Sequence, residues 1–257
     1  MTAVSRARFA ELVRNEPVDV GLACLLIGAE SEPDLDVDAS LAVLDDLAAA
    51  ARPLVSLHGP AEGLRLALGE QAGFAGSTFD YEDLRSSLLH EVLRRGRGLP
   101  ILLSVIWCEV ADRLDLLAVP LGLPGHVLVC LGDPLDEHLV VDPFHGGRLV
   151  AGVKPEPVLH RTDLLLRVLT NVRALTGRQG RSLETTRTRL WATELSLLLP
   201  HHPLGLRRER GELLVRLGDH LGGAAELEAY AAVVADHDQA GAEQARRKAK
   251  LARARLN

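Results

Sequence analysis

The sequence predicts an α+β chain: a helical N-terminus, a small antiparallel sheet against a central helix, and an all-α tail. Three observations predict it. Apolar residues recur at helical spacing up to about residue 115, the clearest β signal lies between residues 126 and 142, and beyond about residue 160 the pattern is helical only. The chain has 257 residues, 47% of them hydrophobic, which is enough for one large domain or two ordinary ones with a substantial core. The expected division is 1–160 and 161–257.

Taken in order, residues 6–30 and 39–51 read as helices from apolar spacings such as Phe9, Leu12, Val13 and Leu41, Leu44, Leu47. Pro33 with Asp34, Asp36 and Asp38 forms a polar connection between them, and Pro53, Gly59 and Pro60 close the region. A helix over 61–72 is stopped by Gly73 and Gly76. Leu84–Arg95 is periodic and ends at Gly96 and Gly98. Pro100 suits the first turn of the next helix, roughly 100–115, which is apolar on nearly every side and therefore central. Pro120, Pro124 and Gly125 break the helical period. Val127–Leu131 and His138–Asp142 then flank a turn of Gly132, Asp133, Pro134 and Asp136, the pattern of a hairpin. Leu164, Leu165, Val168 and Leu169 open the helical tail, and four further helical segments follow. Arg178-Gln179-Gly180 returns as Arg216-Leu217-Gly218, which suggests stacked helix pairs; two ordinary amphipathic hairpins would read alike.

Composition excludes several classes. Aromatic residues make up only 3% of the chain, too few for a platform that stacks bases, and the net charge of −6 does not suit a groove that tracks phosphates, so no nucleic-acid partner is expected. Cys24, Cys108 and Cys130 are too scattered for a disulfide framework. No apolar run approaches the length of a membrane span, and the start shows no apolar leader segment, so no membrane partner and a cytoplasmic location are expected.

The hairpin carries the candidate chemistry. Centred near position 134 or 135, it pairs residues whose numbers sum to about 268–270, so His126 and Asp142 can meet near the end away from the turn. A carboxylate bonded to an imidazole is the base–orienter half of a nucleophilic triad; on the residues alone a brace for the hairpin is the favoured reading.

Here the residues resemble the SirB-type transglutaminase-like proteins. The resemblance rests on Leu84–Leu93, Gly98-Leu99-Pro100-Ile101, Leu103-Ser104-Val105, Gly122-Leu123-Pro124-Gly125-His126 and Asp142-Pro143-Phe144 with Gly146-Gly147. Asp34-Leu35-Asp36, Leu44-Asp45, Gly73-Phe74 and Asp80-Tyr81 extend it, and the helices over 164–257 resemble a tetratricopeptide tail. It implies a transglutaminase-like or papain-like core in which a Cys at the start of a buried helix attacks a carbonyl, helped by His and Asp from adjacent strands. His126 and Asp142 match the latter two roles. The Cys is missing: Pro100-Ile101-Leu102 opens the helix, Ser104 is the nearest hydroxyl, and Cys108 lies a further turn along, beyond the reach of the helix N-terminus. Many relatives also lack the thiol. Ser86 and His90 depart from the family, where Asn is typical, and His90 reads as a residue of a solvated helix face.

Other candidates are weaker. His126, Asp142 and His145 have the composition of a two-His, one-carboxylate metal site, but His145 is expected to point to solvent, and no metal or other cofactor is expected. His201-His202 sits in a connection, and Arg246-Arg247-Lys248 with Lys250, Arg253 and Arg255 reads as a solvated helix face. The favoured expectation is a non-catalytic or degenerate transglutaminase-like protein, a pseudoenzyme, whose tail binds a protein or peptide partner. The alternative is a hydrolase or acyltransferase that uses His126 and Asp142 with Ser104 or an activated water.

Overall fold

The structure is a computed structural model describing residues 3–180 and 182–255. It divides into two compact units, Met1–Val168 and Leu169–Asn257. Among the described residues, no helix is long and apolar enough to cross a membrane.

The first unit is α+β. The span 6–30 is two helices rather than one, α1 (Ala3–Leu12) and α2 (Val20–Gly28). Pro17 interrupts the run, and Asp19 restarts it by accepting a hydrogen bond from the Leu22 amide at 2.8 Å. Helix α3 (Val37–His58) overruns the expected end at 51 and passes through Pro53, which is exposed, so the carbonyl it leaves unbonded faces water. After α4 (Pro60–Leu64) the chain continues as a π-helical stretch to Gln71. The periodic span 84–95 is a short 3-10 turn (Leu84–Ser87) and then α5 (Leu89–Arg95), closed by Gly96 in the left-handed conformation.

Helix α6 (Pro100–Asp112) is central, as its all-round apolarity predicts. Every residue from Pro100 to Trp107 is buried, and Trp107 meets Phe74 edge to face at 6.4 Å. Against it lies a four-stranded antiparallel sheet of order β1 (Ala118–Leu123), β2 (His126–Gly132), β3 (His138–Asp142) and β4 (Arg148–Leu149). Strand β1 was not legible, because Pro120 reads as a breaker. Its carbonyl accepts from the Leu159 amide, and the Gly122 amide donates to the Pro157 carbonyl. The edge position of Pro120 that faces away from β2 therefore needs no amide hydrogen for that ladder.

In the second unit, α7 (Arg161–Arg178) enters from the first, and α8 (Leu183–Leu198), α9 (Gly205–Arg216), α10 (His220–Val234) and α11 (Gln239–Ala254) follow. The repeated Arg-x-Gly phrases end α7 and α9, and Gly180 and Gly218 both take positive φ there, near 98° and 93°. Helices α9 and α10 cross closely: a Cβ on Gly223 would lie 2.7 Å from the Gly211 carbonyl oxygen. The α10–α11 interior is small and aliphatic, built from Ala224, Leu227, Ala231, Ala242, Ala245 and Ala249 around Tyr230. Glu209 links three helices, accepting from Arg173 at 2.7 Å and Arg189 at 2.5 Å.

Candidate functional site

The site forms where β2 begins and β3 ends. Pro124 and Gly125 make a two-residue turn between Leu123 and His126, which pair across β1 and β2. Gly125 takes φ +71°, a conformation that suits glycine, and His126 is thereby the first residue of β2. Arg167 fixes the turn by donating to the Leu123 carbonyl at 3.0 Å. The β2–β3 register pairs Val129 with Val141 and Cys130 with Val140, at the upper end of the expected range. Asp142 is therefore a diagonal neighbour of His126 on the same face, within reach of a long side chain.

The predicted pair meets. His126 Nε2 lies 3.0 Å from both Asp142 oxygens. Asp142 also caps the turn Pro143–His145, its Oδ1 accepting from the Phe144 amide at 3.0 Å. That turn brings round a third group. His145 keeps its ring largely exposed, as expected, but sets Nδ1 2.7 Å from Asp142 Oδ2. Burial pushes the Asp142 carboxyl up, and the hydrogen bonds and charges of His126 and His145 outweigh it, leaving the group below its ordinary range. The ligand atoms of His126, Asp142 and His145 all lie within 4.8 Å of one another; those of Glu32, His90 and Glu91 do so as well.

Sequence reasoning missed the residues that hold this turn. A Cβ on Gly76 would fall 1.9 Å from the Phe144 ring, and one on Gly69 would fall 2.1 Å from the Gly146 carbonyl oxygen. The Gly76 amide also donates to the Phe144 carbonyl at 2.9 Å. The Phe144 ring stands edge-on to His126 at 5.8 Å and beside Tyr81 at 6.2 Å. Burial and the Asp142 charge raise the Tyr81 pKa. Asp80, buried, ties the segment before α5 together through the Ser77 amide, the Ser86 hydroxyl and Arg97. The contacts that reach the Phe144–Gly147 turn are long-range, and only the Asp80-Tyr81 and Gly-Phe phrases hinted at them.

Ser104 is not brought to the pair. Its buried hydroxyl lies 2.8 Å from the Pro100 carbonyl and 3.3 Å from the Val127 carbonyl, and among the described residues it makes no hydrogen bond to His126. Its single proton goes to the nearer carbonyl, one turn back along α6. The Cys108 thiol is pushed well up by burial, with Glu109 adding to the effect, so it holds its proton. His90 corrects the sequence reading: it is 4% exposed rather than solvated. Its ring packs on α2, where a Cβ at Gly28 would lie 2.3 Å from Nδ1, and that nitrogen has no hydrogen-bond partner. Burial lowers its pKa. His202 bonds the Leu199 carbonyl through Nδ1, as a connection residue does.

A base held by a carboxylate, with no thiol or serine hydroxyl hydrogen-bonded to it among the described residues, can accept a proton or bind an electrophile or cation; on its own it lacks an attacking atom.

The family described as the transglutaminase-like superfamily matches residues 38–169, and a tetratricopeptide repeat matches residues 182–257. A UPF0162 protein of Xylella fastidiosa (strain Temecula1) is 33% identical over 186 residues, which is 63% of this chain and 64% of that protein. A UPF0162 protein of Pseudomonas aeruginosa is 33% identical over 143 residues, 54% of this chain and 52% of the relative. The chain thus spans less than two thirds of the length of these relatives. F-box only protein 21 of Mus musculus is 29% identical over 94 residues, 34% of this chain and 15% of that protein. No solved structure matches significantly. With half its length in that family, the sheet and central helix of the fold, and helical repeats later in the sequence, the chain belongs to the transglutaminase-like superfamily, in its SirB-type form with a tetratricopeptide region.

Proposed function

We infer that this is a non-catalytic, degenerate transglutaminase-like protein that acts by binding another protein or peptide through its tetratricopeptide helices. The observation that carries the reading is the state of α6. Its first turn holds Pro100, Ile101, Leu102 and Leu103, and the nearest hydroxyl, Ser104, gives its proton to the helix backbone. A retained His–Asp pair without a nucleophile fits a core kept for its shape. Tetratricopeptide repeats generally mediate protein–protein interaction, and the groove among α9, α10 and α11, lined by Glu212, Val215, Arg216, Leu227, Lys248 and Leu251, combines apolar and charged groups, with Lys248 paired to Glu212 at 2.7 Å, as a peptide-binding surface does.

A second reading is favoured by one observation, the bond from His126 Nε2 to Asp142 that orients the ring as a general base. In that reading Asp142 orients His126, and Ser104 or an activated water supplies the attacking oxygen. Two measurements on the full chain decide. Amide and ester probes should show no turnover above background, and proteins captured by the wild type should be lost with Leu251→Glu and retained with His126→Ala. Turnover that falls about 10²–10⁴-fold in His126→Ala would replace the first reading with the second.

A further inference from the structure

Asp142 Oδ2 stands between two imidazole nitrogens, at 3.0 Å from His126 Nε2 and 2.7 Å from His145 Nδ1. Bonds from zinc-like ions to imidazole nitrogen and carboxylate oxygen measure about 2.0–2.1 Å, so two ligands on one tetrahedral ion stand about 3.3–3.4 Å apart. Both observed separations are hydrogen-bond distances, shorter than that spacing by about 0.3–0.7 Å, so an ion would replace the shared protons with a small opening of the rings; all three ligand atoms already converge within 4.8 Å of one another. We propose that His126, Asp142 and His145 form a binding site for one divalent first-row transition ion of the zinc or cobalt type.

The donor set selects this class. Two imidazoles with one carboxylate suit zinc, iron and cobalt, whereas calcium and magnesium favour sites built of oxygen alone. The support is fixed. The Phe144 amide holds Asp142 Oδ1, which also lies against His126, while Oδ2 faces both rings, and Gly69 and Gly76 let the chain seat the Phe144–Gly147 turn without room to shift. The face is open. The His145 side chain is 62% exposed, so the ring can make the small rotation that brings its nitrogen to the ion, and water can complete the coordination. A hairpin brace would need only one histidine on this carboxylate; the second, on an exposed turn, makes it a convergent set.

The other cluster, Glu32 with His90 and Glu91, does not compete. Arg94 lies 3.3 Å from Glu32 and 3.2 Å from Glu91, so a fixed cation already occupies the place of an ion. The proposed site needs neither a thiol on α6 nor the tail, and it stands or falls apart from the binding function proposed above.

The test is titration of the full chain, first stripped with a chelator, with Co²⁺ followed by visible absorption and with Zn²⁺ followed by calorimetry. The expected result is one ion per chain, with affinity reduced at least about tenfold in His145→Ala and in His126→Ala. His138→Ala, which removes a ring bonded to its own loop carbonyl at Asp136, should bind as the wild type does. His145 is exposed, so its removal leaves the fold intact, and circular dichroism checks this. No saturable binding, or binding unchanged in both His145→Ala and His126→Ala, overturns the proposal. So does binding that is lost in Glu32→Gln instead.

Discussion

Ser104 and His126 show how far one hydrogen bond decides chemistry. A hydroxyl one turn inside a buried helix finds the carbonyl four residues back before it finds any other acceptor, and Ser104 has done so at 2.8 Å from Pro100. Ser104→Ala should therefore lower stability by only about 0.5–1.5 kcal/mol in urea unfolding. It should leave partner capture unchanged and produce no change in any probe turnover; a loss of turnover in a folded variant would mark Ser104 as the nucleophile. His126 and Asp142 were legible because strand pairing turns two sequence positions into neighbours by arithmetic. The third member, His145, was legible as a residue but not in its direction. That direction is set by the Asp142 cap on the Phe144 amide and by positive φ at Gly146 and Gly147, which only the folded turn displays.

At the scale of elements, the helices that the periodicity marked are present, and the departures lie where one residue changes sense with context. Pro120 reads as a breaker, yet on an edge strand its missing donor is not needed, so β1 escaped sequence reading. Pro124-Gly125 reads as the end of a pattern and is instead the turn that starts β2 at His126. Leu88 is extended between the 3-10 turn and α5, which splits a span of uninterrupted helical spacing. The helix pairs of the tail were legible from repeat spacing, but the ties between them were not. Glu209 is the clearest tie. Burial pushes its carboxyl up, and hydrogen bonds from Arg173 and Arg189 more than reverse this, leaving it below the ordinary glutamate range. A carboxyl depressed in the folded state adds stability above its unfolded pKa and loses that contribution as pH falls through the folded value. Glu209→Gln should therefore destabilise by about 1.5–3 kcal/mol at pH 7, and its thermal-melting deficit should shrink as pH falls below about 4.

At the scale of the molecule, the chain is two units with different interiors. The first packs Trp107, Phe74 and long aliphatic side chains around α6, while the α10–α11 pair closes over alanines with Leu227 and Tyr230 among them. So few large side chains make each one count. Leu227→Ala should cost about 2–5 kcal/mol, read as a lower midpoint of urea unfolding, because its alanine neighbours cannot extend into the space it leaves. Aromatic scarcity has an optical consequence. Each unit contains one tryptophan, Trp107 in the first and Trp191 in the second. The Trp107 indole nitrogen is buried without a hydrogen-bond partner, so its ring should emit at short wavelength until water reaches it. The chain thus carries one tryptophan per unit, and with Trp191→Phe the colour of the remaining emission reports when the first half has opened.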